Sequence, residues 1–178
     1  NVEDIAGTAT FYGGDWNDFL TVGSPTTWHT VVGSIMFYGE VGDDEATVYQ
    51  VAPDGWVAFE GDMGDDQLIL GGSDTLLPFD HIDGAVFLNG DNGDDAVIAD
   101  ASASVSPVNV WFEQPAAVPA PYEAADMSAA RWSGMFSSVF YSAERIDTTL
   151  SSYDDDVHVR ATNAELEQLT VGAGGGAD

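Results

Sequence analysis

Apolar and polar residues alternate in short runs along this chain, and the runs come in pairs separated by a Gly/Asp-rich turn. "ATFYGGDWNDFLTV" (9–22), "IMFYGEVGDDEATV" (35–48) and "VAFEGDMGDDQLIL" (57–70) match position by position. "VFLNGDNGDDAVIA" (86–99) and "IDTTLSSYDDDVHV" (146–159) keep the register more loosely. The common pattern is apolar-x-apolar, six residues, Asp, x, apolar, x, apolar. A period of two on each side of the turn predicts two short strands per repeat.

The anchoring aspartates are Asp18, Asp44, Asp66, Asp95 and Asp155, separated by 26, 22, 29 and 60 residues. A sixth copy, "LTVGAGGGAD" (169–178), reaches Asp178 after a further 23. Periods in this range indicate a solenoid, because one repeat cannot bury both strands alone and stacked repeats can. A hairpin at every turn is the rival topology, but six residues is long for a two-residue hairpin and propeller blades need about 40 residues. The fold expected is all-β: a parallel β-solenoid of about six to eight coils with one irregular insertion. Its coils run 22–29 residues, in a single domain over 1–178 with the insertion at 100–145.

Stacking in register predicts two inward ladders. One is Ala9, Ile35, Val57, Val86, Ile146 and Leu169; the other is Val22, Val48, Leu70, Ala99 and Val159. The Gly/Asp turn occurs once per repeat, which places the acidic turns along one edge, with "GGSDTL" (71–76) and "DHID" (80–83) as partial opposite edges. The insertion departs from the pattern and holds four of the seven prolines. "YEAADMSAARW" within it predicts a short helix with Met127 and Trp132 facing inward. Trp111, Trp132, Phe136, Phe140 and Tyr141 make the insertion either a cover for the solenoid side or an interaction surface.

Composition sharpens the meaning of the turns. Acidic residues number 31 against three arginines and no lysine, for a net charge of -28. Nucleic acid and anionic membrane surfaces need basic patches and are poor partners; cations are the natural counterpart. Apolar residues at 44% separate the chain from disordered acidic tails. There is no cysteine, hence no disulfide framework or thiolate metal site. No apolar run is long enough to span a membrane. The start at Asn1, with neither Met nor a signal h-region, reads as a processed or excised segment. Salt adaptation is the competing source of such acidity.

Crowded carboxylates repel by a few kcal/mol at an effective dielectric of about 20, so their recurrence in register points to a cation among them. Calcium takes six to eight oxygen ligands, and Gly-rich turns bend carbonyls toward an ion. Successive coils lie about 4.8 Å apart, within reach of a shared ion. The candidate ligands are Asp15, Asn17, Asp18, Asp43, Asp44, Asp62, Asp65, Asp66, Asp91, Asp94 and Asp95, with Asp154 and Asp155. Ordinary solvated Asx/Gly turns are the alternative.

"GDMGDDQLIL", "GDNGDDAVIA" and "GEVGDDEATV" resemble the nonapeptides of RTX-type calcium-binding β-roll proteins, G-G-x-G-x-D-x-apolar-x. The longer spacing departs from that family's nine-residue repeat and is more similar to acidic "GDxGDDxLxV" coils of bacterial surface proteins. The resemblance covers about ten residues in each of five or six places and implies calcium between coils.

No other chemistry stands out. His29, His81 and His158 share no zinc spacing, and no G-x-S-x-G elbow is present. The four methionines are scattered and read as core. A polysaccharide lyase or hydrolase on a β-helix is the runner-up, weakened by the scarcity of Arg and Lys. The function expected is not enzymatic: an extracellular or cell-surface calcium-stabilised structural or adhesive module, self-associating head-to-tail.

Overall fold

The computed structural model is a β-solenoid of about six turns, described over residues 7–25, 33–71, 79–119, 121, 127–135, 137–162 and 164–177. Among these residues there are fourteen strands and no helix. Each of the first four coils lays one strand in a large sheet, passes the Gly/Asp turn, and lays one in a small sheet. The pairs are β1 (Thr8–Gly14) and β2 (Phe19–Val22), then β3 (Ser34–Val41) and β4 (Glu45–Val48). β5 (Trp56–Met63) and β6 (Gln67–Gly71), then β7 (Ala85–Asn92) and β8 (Ala96–Asp100), complete them.

Equivalent strands pair in parallel. Ala9, Ile35, Val57 and Val86 are direct partners, as are Val22, Val48, Leu70 and Ala99, so both expected ladders hold for four coils. The inward members from Ile35 onward are fully buried between the sheets, and Phe37 stacks on Phe59 at 5.0 Å. Each such side chain contributes roughly 1.5–3 kcal/mol by leaving water. A third side is closed by residues 79–84, where Val51 bridges Ile82 and Phe79 is buried. Asp80 and Asp83 lie here, whereas "GGSDTL" falls almost wholly outside the described residues.

The insertion joins the sheet between segments without regular structure. It contributes three strands to the large sheet: β9 (Asn109–Glu113), β10 (Ser128–Trp132) and β11 (Val139–Ser142). β10 is antiparallel to both neighbours, and β11 takes the place beside β7, with Val139 against Val86. β12 (Arg145–Thr149) then continues the small sheet beside β8. β13 (Asp156–Val159) pairs with β9, and β14 (Gln168–Gly172) with β12. The large sheet therefore runs β1-β3-β5-β7-β11-β10-β9-β13 and the small one β14-β12-β8-β6-β4-β2.

This corrects the later half of the expected ladders. Ile146 and Leu169 lie in the small sheet, with Ile146 against Val97, and Val159 lies in the large sheet against Phe112. The fifth repeat follows the strand–turn–strand pattern and the sixth its strand–turn half, but in both the turn follows a small-sheet strand. The acidic turns thus occupy two edges of the solenoid rather than one. The pattern reads alike whichever sheet comes first, so the phase change left no local mark.

Residues 128–132 of the expected helix are a strand, and 122–126 lie outside the described residues. Trp132 and Tyr141 are inner core; Trp132 Nε1 donates to Thr148 Oγ1 across the sheets at 3.0 Å. Phe140 and Met127 join Ala58, Phe87, Val118 and Ala129 in a second core on the outer face of the large sheet. These aromatics pack the fold instead of forming a surface; Phe136 is outside the described residues. Met63 is exposed at a strand end, not core.

Candidate functional site

The acidic turns are built on one steric pairing. Gly13, Gly39, Gly61 and Gly90 each precede an anchoring aspartate by five residues. A Cβ placed on Gly39, Gly61 or Gly90 would lie 2.2, 2.1 or 2.0 Å from Oδ2 of Asp44, Asp66 or Asp95. At Gly13 the distance to Asp18 Oδ2 is 2.8 Å. The carboxylate fills the volume of a side chain, so only glycine fits. The next residue bends the strand: Glu40, Asp62 and Asp91 have φ of 76°, 71° and 68°. Asp tolerates this left-handed region better than most residues.

Two rows of hydrogen bonds follow. In the inner row the amide of each anchor donates to the next coil's carboxylate: Asp18 to Asp44 Oδ1 at 2.6 Å, Asp44 to Asp66 Oδ1 at 2.8 Å, and Asp66 to Asp95 Oδ1 at 2.8 Å. The row ends where the Asp95 amide donates to Glu144 Oε2 at 2.9 Å. The outer row runs in the opposite sense. Asp43 N–H donates back to Asn17 Oδ1 at 3.0 Å, Asp65 to Asp43 Oδ1 at 3.1 Å, and Asp94 to Asp65 Oδ1 at 3.0 Å. Arg145 closes it, with Nη1 3.0 Å from Asp94 Oδ2. Each Asp-Asp pair therefore binds the coil before it and the coil after it.

The other edge repeats both senses. Asp155 Oδ1 accepts from Val108 N at 2.6 Å and Ser151 Oγ at 2.8 Å, and Ala177 N donates to Asp154 Oδ1 at 2.8 Å. Gly/Asp turns leave backbone amides that the β-ladders do not reach, and buried amides need acceptors. The side chains supply them.

Electrostatically the inner row is strained. Oδ2 of Asp44, Asp66 and Asp95 is buried without a hydrogen-bond partner. Burial raises all three carboxyls: Asp66 to about 7, Asp95 to about 6, and Asp44 above its ordinary value. The amide bonds oppose this rise and neighbouring acids add to it, Asp95 and Asp44 for Asp66, Glu144 first for Asp95.

The expected calcium ligands are thus brought together as rows. Asp18, Asp44, Asp66 and Asp95 form the inner one; Asn17, Asp43, Asp65 and Asp94 form the outer one; Asp154 and Asp155 stand on the opposite edge. Asp15 is exposed in the first turn. The gap between inner carboxylates is taken by N–H···O bonds to Oδ1, and Oδ2 lies over the glycine five residues before it. Among the described residues no three His or acidic side chains converge as a metal-holding group. Asp62 and Asp91 fall instead in a third, outward column with Glu40, in direct register.

Sequence reasoning missed Glu144, whose longer side chain replaces aspartate in a shorter turn. Its signal was an acid directly before the alternating "RIDTT". Of the histidines, His158 stacks on Trp111 at 5.8 Å, whose ring also lies 5.0 Å from the Arg131 guanidinium. His29 lies outside the described residues. A pocket of about 170 Å³ is lined by Phe79, Asp80, Ser104, Val108 and Ser133 among others. Comparison with protein-family models, with curated proteins and with solved structures returned no match.

Proposed function

We propose that the chain is an extracellular structural or adhesive β-solenoid module, a rod held by its acidic turns and further stabilised by calcium. The observation that carries this reading is the two-way carboxylate–amide connection between coils. It puts the most regular acidic residues of the chain to work in cohesion, where catalysis would need carboxylates free to meet a substrate.

Calcium belongs on the outward column of Glu40, Asp62 and Asp91. These carboxylates repeat at the coil spacing of about 4.8 Å and repel one another unless a cation lies between them. Glu40 and Asp91 are exposed and Asp62 is half-buried, so water would complete the shell, as in the low-affinity sites of extracellular modules. Magnesium prefers a smaller octahedral site and replaces calcium poorly.

A thermal melt tests the reading. Calcium raises the melting temperature, chelator lowers it, and saturation at 100 times Kd adds about 2.7 kcal/mol per site. Asp62→Asn with Asp91→Asn removes most of that increment. Sodium chloride at matched ionic strength stabilising as well as calcium would reduce the acidity to general salt adaptation.

A further inference from the structure

The two ends of the solenoid differ. β1 and β2 are the first strands of their sheets, joined by one four-residue turn, so this end is level. At the far end the eight-stranded sheet outruns the six-stranded one by two strands. That step leaves the inward Val157 and Val159 of β13 38% and 55% exposed. A level end cannot pair both its edge strands with a stepped end at once.

Trp16 gives a second reason against parallel continuation at the level end. It holds the turn position of Gly42, Gly64 and Gly93, two residues before the anchor. A Cβ on Gly64 would lie 1.9 Å from Gly42 O, and one on Gly93 would lie 1.7 Å from Gly64 O. Each coil thus needs glycine there to rest on the coil before it. Trp16 has a Cβ, so a coil of the same turn geometry has no room in front of the first one.

Among the described residues, β1 and β2 at the level end each have one edge without a partner strand. Tyr12, Trp16 and Phe19 around it are 68%, 82% and 73% exposed, more than any other large apolar residue among those described. Tyr12 stacks one face on Tyr38 at 5.2 Å, in the manner of an interior coil. The first coil is less acidic than the second: residues 7–25 carry Asp15 and Asp18, whereas residues 33–50 carry Glu40, Asp43, Asp44 and Glu45.

We propose that the first coil is a self-docking face, on which a second copy of this chain sits by its own first coil about a two-fold axis. The contact continues the coil–coil interface that already builds the rod. Edge strands meet antiparallel, which avoids the parallel turn-on-turn stacking that requires glycine. Like faces are level on both sides, and isologous contact is the commonest way identical chains associate. The product is a closed dimer with its stepped ends outward, in place of an open head-to-tail filament. Net charge of -28 on each copy makes the contact salt-dependent.

Sedimentation velocity across a concentration series, at low and high sodium chloride, provides the test. The expected species are monomer and dimer only, with dimer favoured by salt. Trp16→Asp with Phe19→Asp weakens the dimer at least tenfold, while Val157→Asp with Val159→Asp leaves it unchanged; melts verify that each variant folds. Because the chain lacks cysteine, Thr10→Cys gives a single thiol, and a bismaleimide joins that variant to itself only if like faces meet. A monomer at every concentration, an open ladder of oligomers blocked by the valine variants, or failure of the Thr10→Cys cross-link each overturns the proposal. A monomer still stabilised by calcium would remove this inference alone and leave the structural reading standing.

Discussion

Oδ2 of Asp66 occupies the space that a side chain on Gly61 would need, 2.1 Å from the ideal Cβ position. Gly61→Ala therefore displaces the Asp66 carboxylate and breaks its bond to the Asp44 amide. The expected loss is about 2–4 kcal/mol, from overpacking plus a stranded buried amide. Urea denaturation measures it, with Gly175→Ala as the control, because nothing lies within 4 Å of that site. Equal midpoints for the two variants would refute the pairing.

Charge and acceptor at Asp66 are separable. Asp66→Ala removes the acceptor of the Asp44 amide and should cost about 1–3 kcal/mol. Asp66→Asn keeps a carbonyl oxygen while removing a buried charge, so near pH 8 it should match or exceed the parent in stability. Chemical denaturation of both variants at that pH decides it. An Asn variant as weak as the Ala variant would show that the charge itself is required.

Acidification should stabilise the chain. The folded-state values of Asp66 and Asp95, about 7 and about 6, lie above the ordinary 3.8. The folded state thus holds protons that the unfolded chain has released. Their contribution is fully present below 3.8 and is lost as pH rises through about 6 to 7. Urea midpoints in chelator-treated buffer should fall between about pH 5 and pH 8, and Asp66→Asn should flatten the slope. A midpoint that rises over this range would contradict the burial of the inner row.

Glu144 and Arg145 end the two rows side by side but differ in weight. Glu144→Asp should fail to reach the Asp95 amide and cost about 1 kcal/mol. Arg145→Ala removes partly exposed pairs to Asp94 and Asp147 and should cost about 0–1 kcal/mol, fading in high salt. A salt titration of both stabilities separates an amide bond from a screened ion pair.

Much of this architecture was legible in the chain itself. The strands of the first four coils, their inward ladders and the Asp-Asp turns follow from period-two alternation and the Gly-to-Asp spacing, which are local properties. The same locality explains the failures. Asp155 and Asp95 sit in similar strings but on opposite edges, because the Asp95 turn leaves a large-sheet strand and the Asp155 turn a small-sheet one. The sequence left Trp132 and Tyr141 open between covering the solenoid and forming an interaction surface, because their neighbours are supplied by strands far away in sequence.

The sequence alone determined that strands would alternate with acidic turns and that the turns would stack, since glycine and aspartate at fixed spacing leave the backbone few other conformations. Only the tertiary structure decided what those aspartates do. An acidic side chain in a turn can hold a cation, face water or accept an amide. The choice depends on what the neighbouring coil presents, and for the inner row that neighbour presents a backbone N–H 2.6–2.8 Å away.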